Sequence, residues 1–150
     1  MDLSTYRFST AWQFTAAPAR LRSVLTDVAG YPRWWPQVRS VRQTGERSGE
    51  LVVRSTLPYR LVFTVHDARQ DEAAGVLEAA MTGDLVGWSR WTIAPDGAGT
   101  RVLFEEEARL GKPWLRHLAI PARPLFLANH GAMMRGGERG LRAHLAAGGV

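Results

Sequence analysis

The chain has 150 residues, of which 45% are hydrophobic and 22% charged. That balance belongs to a globular domain long enough to bury its own core, and it excludes a disordered tail, a collagen-like fibre and a disulfide-framed miniprotein. With no cysteine and a formal charge of +5, thiol chemistry, iron–sulfur clusters and cysteine-ligated zinc are excluded, while an anionic partner is left open.

In chain order, Tyr6, Phe8, Trp12 and Phe14 alternate with Arg7, Ser9 and Gln13, the period-two pattern of a half-buried strand. Ala17-Pro18 opens a helix whose apolar positions Leu21, Val24, Leu25 and Val28 have helical spacing, and Gly30 ends it. The segment Tyr31-Pro32-Arg33-Trp34-Trp35-Pro36 holds two prolines in six residues, which restricts it to a short aromatic turn. From Val38 to Leu110 strand signals are punctuated by turn chemistry at Gly45–Gly49, Pro58, Gln70–Gly75, Gly83-Asp84 and Pro95–Gly99. Pieces of that length predict an antiparallel meander of six strands, seven with the first. Pro113 to Leu118 reads as a helical turn that Pro121 and Pro124 break. A longer helix then runs from Pro124 to Ala146, with Phe126, His130, Met133, Gly137, Leu141 and Leu145 on one stripe.

An antiparallel sheet with one apolar face must cover that face, and only the last helix is long enough to do so. A strongly curved sheet wrapped around a single helix is not filled by that helix's side chains. A cavity for a small ligand is the expected result. No apolar run reaches the roughly 18–20 residues of a spanning helix. The start carries Asp2 where a secretory signal would be basic. The expectation is therefore one domain, 1–150, cytoplasmic and complete as given.

Several features bear on chemistry. Lys112 is the single lysine among nineteen basic residues, and the arginines run from Arg7 to Arg142 without forming a stripe, so no nucleic-acid partner is expected. Arg116, Arg123, Arg135, Arg139 and Arg142 form a looser cluster, which leaves open a transient contact with an anionic membrane as well as a plain wet helix face. His66, His117, His130 and His144 lack ligand spacing such as i, i+4, so neither a metal nor any other cofactor is expected. No nucleophile elbow, phosphate loop or dinucleotide fingerprint occurs. His130, on the helix stripe beside Asn129, is a candidate proton donor or acceptor for a ligand carbonyl, or a core histidine satisfied by a strand. Glu106 shares parity with Val102 and Phe104 and is a candidate acid or base, or the wet end of the Glu105–Glu107 run. Arg54 and Arg90 are candidates for gripping an acidic group. On the strand carrying Phe63, inward Leu61 and Val65 place His66 outward and Asp67 inward. Six tryptophans suit a pocket for a large apolar ligand. Trp35, Phe63, Trp88, Phe104, Asn129, His130 and Met133 are the expected ligand contacts, with Trp12 and Trp91 assigned to core. Gly136, Gly137 and Gly140 weaken a helix, and their expected gain is close approach to the sheet.

An ordered set of residues also carries a family resemblance. It comprises Trp12-Gln13-Phe14, Ala17-Pro18, Asp27, Tyr31-Pro32 and Trp34-Trp35-Pro36, then Gly87 with Trp91, and the turn from Asp96 to Val102. The tail adds Lys112, Trp114, Arg116, Asn129-His130 and the run Met134 to Leu141. From Thr5 to about Leu145 the chain resembles the START-like (SRPBCC) superfamily, in its polyketide cyclase/dehydrase and lipid transport branch. The resemblance implies an α+β helix-grip fold: a curved seven-stranded antiparallel sheet around a long C-terminal helix, with two short helices after the first strand. It implies binding or transport of a small hydrophobic ligand (lipid, isoprenoid or polyketide), or alternatively a polyketide cyclase/aromatase working by aldol closure and dehydration. Scaffold alone does not choose between them. A monomer and a homodimer are equally compatible with the sequence.

Overall fold

A computed structural model describes residues 3–148. Strand β1 (Thr5–Phe14) is followed by α1 (Pro18–Thr26) and a 3-10 segment (Val28–Arg33). Then come β2 (Val38–Gly45), β3 (Ser48–Val53), β4 (Leu61–Asp71), β5 (Val76–Gly83), β6 (Leu85–Asp96) and β7 (Gly99–Leu110). A one-turn helix α2 (Pro113–Arg116) and the long α3 (Arg123–Ala146) complete the chain. All seven strands form one antiparallel sheet in the order β1-β7-β6-β5-β4-β3-β2. The meander is sequential except that β1 closes on β7. Tight hairpins make this possible; Gly97, with φ +59°, takes a backbone conformation at the β6–β7 turn that side chains rarely adopt.

Two places depart from the sequence reading. The first helix ends at Thr26 rather than at Gly30, and Val28 opens the 3-10 segment. The turn is pinned because the buried Tyr31 hydroxyl donates to the Leu25 carbonyl and accepts from the Trp91 indole, so the chain folds back one turn early. Residues Arg123 and Arg142, grouped with the C-terminal basic cluster, are clamps. Arg123 donates to the carbonyls of Leu3 and Thr5, and Arg142 donates to the Gln13 carbonyl. Both hold α3 against β1.

The main core joins Trp12, Leu21, Leu25, Tyr31, Trp34, Trp35, Trp91, Val102, Leu141 and Leu145. Each such side chain contributes roughly 1.5–3 kcal/mol on burial. A second cluster at the other end of the sheet, Tyr6, Leu110, Leu115 and Ala119, seats α2 and the turn behind it, and the Tyr6 hydroxyl donates to the Ala119 carbonyl.

The glycines of α3 explain its approach. A Cβ at Gly140 would stand 1.7 Å from the Trp34 carbonyl oxygen, and one at Gly137 would stand 2.7 Å from the Trp35 ring. The close approach is thus to the aromatic turn as much as to the sheet. The Trp35 indole N–H then donates to the Met133 carbonyl at 2.9 Å. Among the described residues no helix is long and apolar enough to cross a membrane.

Gly140→Ala is expected to destabilise the protein by about 2–3 kcal/mol, because backbone and not a flexible side chain must move. Gly131, on the same helix, would meet only the tip of Arg135 at 3.4 Å. Gly131→Ala should stabilise by about 0.5–1 kcal/mol through helix propensity. Urea unfolding of both variants reads the contrast; equal effects would remove close approach as the role of Gly140.

Candidate functional site

Along its glycine half α3 approaches at backbone distance, whereas its first half meets the concave side of the sheet through longer side chains such as Arg123 and His130. A cavity of about 430 Å³ lies between them, walled by Leu51, Val53, Phe63, Val65, Leu77, Met81, Trp91, Phe104 and Met133, with Tyr31 and Trp35 from the aromatic turn. It reaches the surface between the β2–β3 hairpin (Gln43, Glu46, Arg47) and the α1 end (Thr26, Asp27, Ala29). A smaller lobe of about 100 Å³ lies nearer α2, lined among others by Tyr6, Phe8, Tyr59, Phe126, Asn129 and His130. Val53, Phe63, Glu106 and Met133 border both lobes.

The strand register determines what crosses the floor. Asp67 opposes Ala79, Ala79 opposes Ser89, Ser89 opposes Glu106, and Glu106 opposes Phe8. Since opposed residues share a face, one row bearing Asp67, Ser89 and Glu106 crosses the floor, and Gln43, Ser48 and Gln70 add polar groups to the lining. The row goes from Asp67, paired with Arg47 at 2.9 Å by the mouth, past Ser89 to the buried Glu106. The neighbouring row is apolar: Leu77, Trp91 and Phe104.

Above the inner end of that row sits His130, two turns into α3. Its ring stacks on Phe8 at 3.5 Å between centroids and 7° between planes. Its Nε2 lies 3.5 Å from Glu106 Oε1, and both side chains are at least 85% buried. That separation is longer than an ordinary N–H···O bond but close enough for strong attraction when the imidazole is protonated. The register makes Phe8 and Glu106 neighbours, and the helix lowers His130 onto both.

The other expected contacts divide. Trp35, Phe63, Phe104 and Met133 line the main lobe. Trp35 also packs edge-on to Trp12 and stacks with Trp34 at 5.3 Å, so it is wall and core at once. Asn129 borders the small lobe, but its amide oxygen is committed. It accepts from the Thr56 backbone and hydroxyl, both at 2.9 Å, and from the Leu57 backbone at 3.0 Å, strapping the β3–β4 connection to α3. Arg54 is exposed and reaches the small lobe only at its rim. On β4, Asp67 lines the cavity while His66 is exposed.

Trp88 and Arg90 are corrections. Both lie on the opposite face of β6 from Ser89 and Trp91, because a strand sends successive side chains to opposite sides. The Trp88 indole donates to Glu107 at 3.2 Å, and the Arg90 guanidinium covers its ring at 4.6 Å. Arg90 is further held by Glu78 at 2.6 Å and Glu105 at 3.5 Å. The hydrogen bond that Arg90 donates to Glu78 is the largest of the causes that raise its pKa. It is a fixed cation outside the cavity. In exchange Trp91, assigned to core alone, forms cavity wall, and Phe8 and Ser89 join the site. Parity within β6 distinguishes Trp91 from Trp88, whereas Phe8 becomes visible only through the β1–β7 pairing.

Burial also acts on the phenols. It pushes Tyr31 far above the usual tyrosine range, against the opposing hydrogen bond from Trp91, and it pushes Tyr59 up to about 12, helped by Tyr6 beside it.

A profile described as polyketide cyclase/dehydrase and lipid transport matches residues 5–146. The chain belongs to that family. Solved structures share the fold. The protein TTHA0849 of Thermus thermophilus superposes with a TM-score of 0.65 at 21% identity, over 93% of this chain and 98% of that one. The Zhui aromatase/cyclase of Streptomyces sp. R1128 gives 0.65 at 19% identity, covering 97% and 99%. A START superfamily protein of Mycobacterium smegmatis gives 0.64 at 17%, covering 87% and 94%. No curated protein matches the chain in sequence. The α+β helix-grip fold, with its seven-stranded sheet and C-terminal helix, is that of START-like proteins.

The raised phenols predict alkaline instability. Unfolded tyrosine titrates near 10, so the stability gained by keeping Tyr31 and Tyr59 neutral is complete below that pH. It is lost as pH rises through their folded values. Denaturant midpoints should fall steeply above about pH 10, and less steeply for Tyr31→Phe; parallel profiles would refute the assignment to Tyr31.

Proposed function

We propose that the protein binds a small, mostly apolar molecule in the main lobe and orients it by one oxygen-bearing group set against Ser89, Glu106 and His130. The observation that carries this reading is a cavity of about 430 Å³, within the usual range for ligand pockets, whose largely apolar walls are crossed by the row of Asp67, Ser89 and Glu106. Lipids, isoprenoids and polyketides have that distribution of polarity. Burying their apolar bodies against Phe63, Trp91, Phe104 and Met133 drives binding, and the polar row selects the orientation.

The approach of His130 to Glu106 favours a second reading, intramolecular aldol closure and dehydration of a poly-β-ketone. Neutral His130 takes a proton from the methylene between two ketones, and the enolate carbon adds to another ketone of the same chain. Proton return gives the alcohol, and water then leaves to form the carbon–carbon double bond. Glu106 stabilises the imidazolium formed in the first step.

Native mass spectrometry of the protein purified from its own host should reveal a co-purified small molecule. An apolar fluorescent probe is expected to bind with micromolar affinity. Ala79→Phe, which fills the cavity from the floor, should weaken it at least tenfold; unchanged probe binding would end the cavity reading. Between the two readings, His130→Ala and Glu106→Gln decide. In a cyclase each lowers turnover by roughly 10²–10⁴, while affinity falls by no more than a hydrogen bond, about 1 kcal/mol. In a carrier, ligand delivery survives both changes.

A further inference from the structure

The segment between the end of β7 and the middle of α3 has an unusual surface. Of the six large hydrophobic side chains exposed among the described residues, five fall within it: Trp114, Leu118, Ile120, Leu125 and Leu127. Ile120 and Leu125 are 57% and 60% exposed. The outer face of the first two turns of α3, where a water-facing helix carries charge, is instead Pro124, Leu125, Leu127 and Ala128. Single exposed apolar residues need no explanation, but a run of them on one segment does.

The charge of the same segment is equally one-sided. Residues 108–137 contain no Asp or Glu and five cations, Arg109, Lys112, Arg116, Arg123 and Arg135. Lys112 is paired with Asp84 and Arg123 is tied to backbone carbonyls, but Arg109, Arg116 and Arg135 are exposed. Apolar side chains with an interfacial tryptophan, on a segment that carries arginines and no acid of its own, match the headgroup boundary of an anionic bilayer. The patch also touches the cavity: the exposed Trp114 ring packs edge-on to Tyr59, which meets Phe126 at 6.4 Å, and Tyr59 and Phe126 both line the small lobe.

From these observations we infer that α2, the turn after it and the first two turns of α3 dock the protein on an anionic phospholipid surface, inserting Trp114, Ile120 and Leu125 between headgroups. The inference goes beyond ligand binding in the cavity and does not depend on it, because the docking surface is complete without a ligand.

Vesicle co-sedimentation of the full chain tests it. Vesicles of phosphatidylcholine containing roughly a third phosphatidylglycerol should bind the protein, pure phosphatidylcholine vesicles much less, and salt should release it. Ile120→Ser with Leu125→Ser should weaken binding at least tenfold. Arg116→Gln with Arg135→Gln should weaken it by roughly fivefold per arginine. All four positions are partly or fully in water, so circular dichroism and the urea midpoint should remain those of the unaltered protein. On the anionic vesicles the Trp114 fluorescence should shift to the blue, and Trp114→Phe should remove the shift. The cavity-filled Ala79→Phe should still bind vesicles, which separates this inference from the reading of the cavity. Failure to bind anionic vesicles, or binding unaffected by the paired serine changes, would overturn it. So would self-association, or capture of an acidic protein, that those serine changes abolish while vesicle binding stays absent.

Discussion

The structure depends on the close packing of the second half of α3 against the aromatic turn. Trp34 and Trp35 occupy the space where side chains at Gly137 and Gly140 would be, and the Trp35 indole binds a carbonyl of the helix itself. Three glycines in five residues, Gly136, Gly137 and Gly140, weaken the helix by roughly 1 kcal/mol each relative to alanine. What they make possible is contact at backbone distance. That contact sets the height of the helix over the sheet at one end, and Arg142 on Gln13 secures it.

The other half of the helix is held through longer side chains instead, Arg123 on the Leu3 and Thr5 carbonyls and His130 on Phe8. The sheet continues to curve beneath it, and the gap becomes the cavity. Its floor is determined by antiparallel register, which sets Asp67, Ala79, Ser89, Glu106 and Phe8 in one row across five strands. Its roof is set by helical spacing, which sends Met133 into both lobes and His130 onto Phe8 and Glu106. Site chemistry therefore arises where two periodicities meet: two residues along a strand and 3.6 along a helix. A buried carboxylate is costly alone, and the imidazole above Glu106 with the Ser89 position beside it supplies the polar surroundings that an apolar cavity lacks.

The face that α3 turns outward follows a different logic. Where the helix packs tightly its far side carries Arg135 and Arg139, as expected of a face in water. Over its first two turns the inner side faces the small lobe, and the outer side, Pro124, Leu125, Leu127 and Ala128, is exposed among the described residues. A hydrophobic surface on both sides of a short stretch costs solubility unless something covers it, and the lack of acids within residues 108–137 restricts the chemistry of that cover.

The sequence by itself determined the element order, because strand alternation, turn residues and the helical stripe are local signals. Tyr6–Phe14, the hairpin at Asp96-Gly97 and α3 could all be read without knowing what they touch. It also placed Phe63 and Asp67 inward, since parity along one strand is a local property, while Glu106 stayed open between the cavity and the wet end of its strand. Tertiary structure decided everything that needs two strands or a strand and a helix together. Which face of β6 is concave separates Trp91 from Trp88 and Arg90, and only pairing with β5 and β7 reveals it. The partner of His130 lies on β7 and its stacking ring on β1, more than twenty and more than a hundred positions away in the chain. Asn129 looks like a ligand contact until the β3–β4 connection folds over its amide oxygen. Periodicity reports on a neighbour one turn or one residue away, whereas register and helix height are set by packing across the whole sheet.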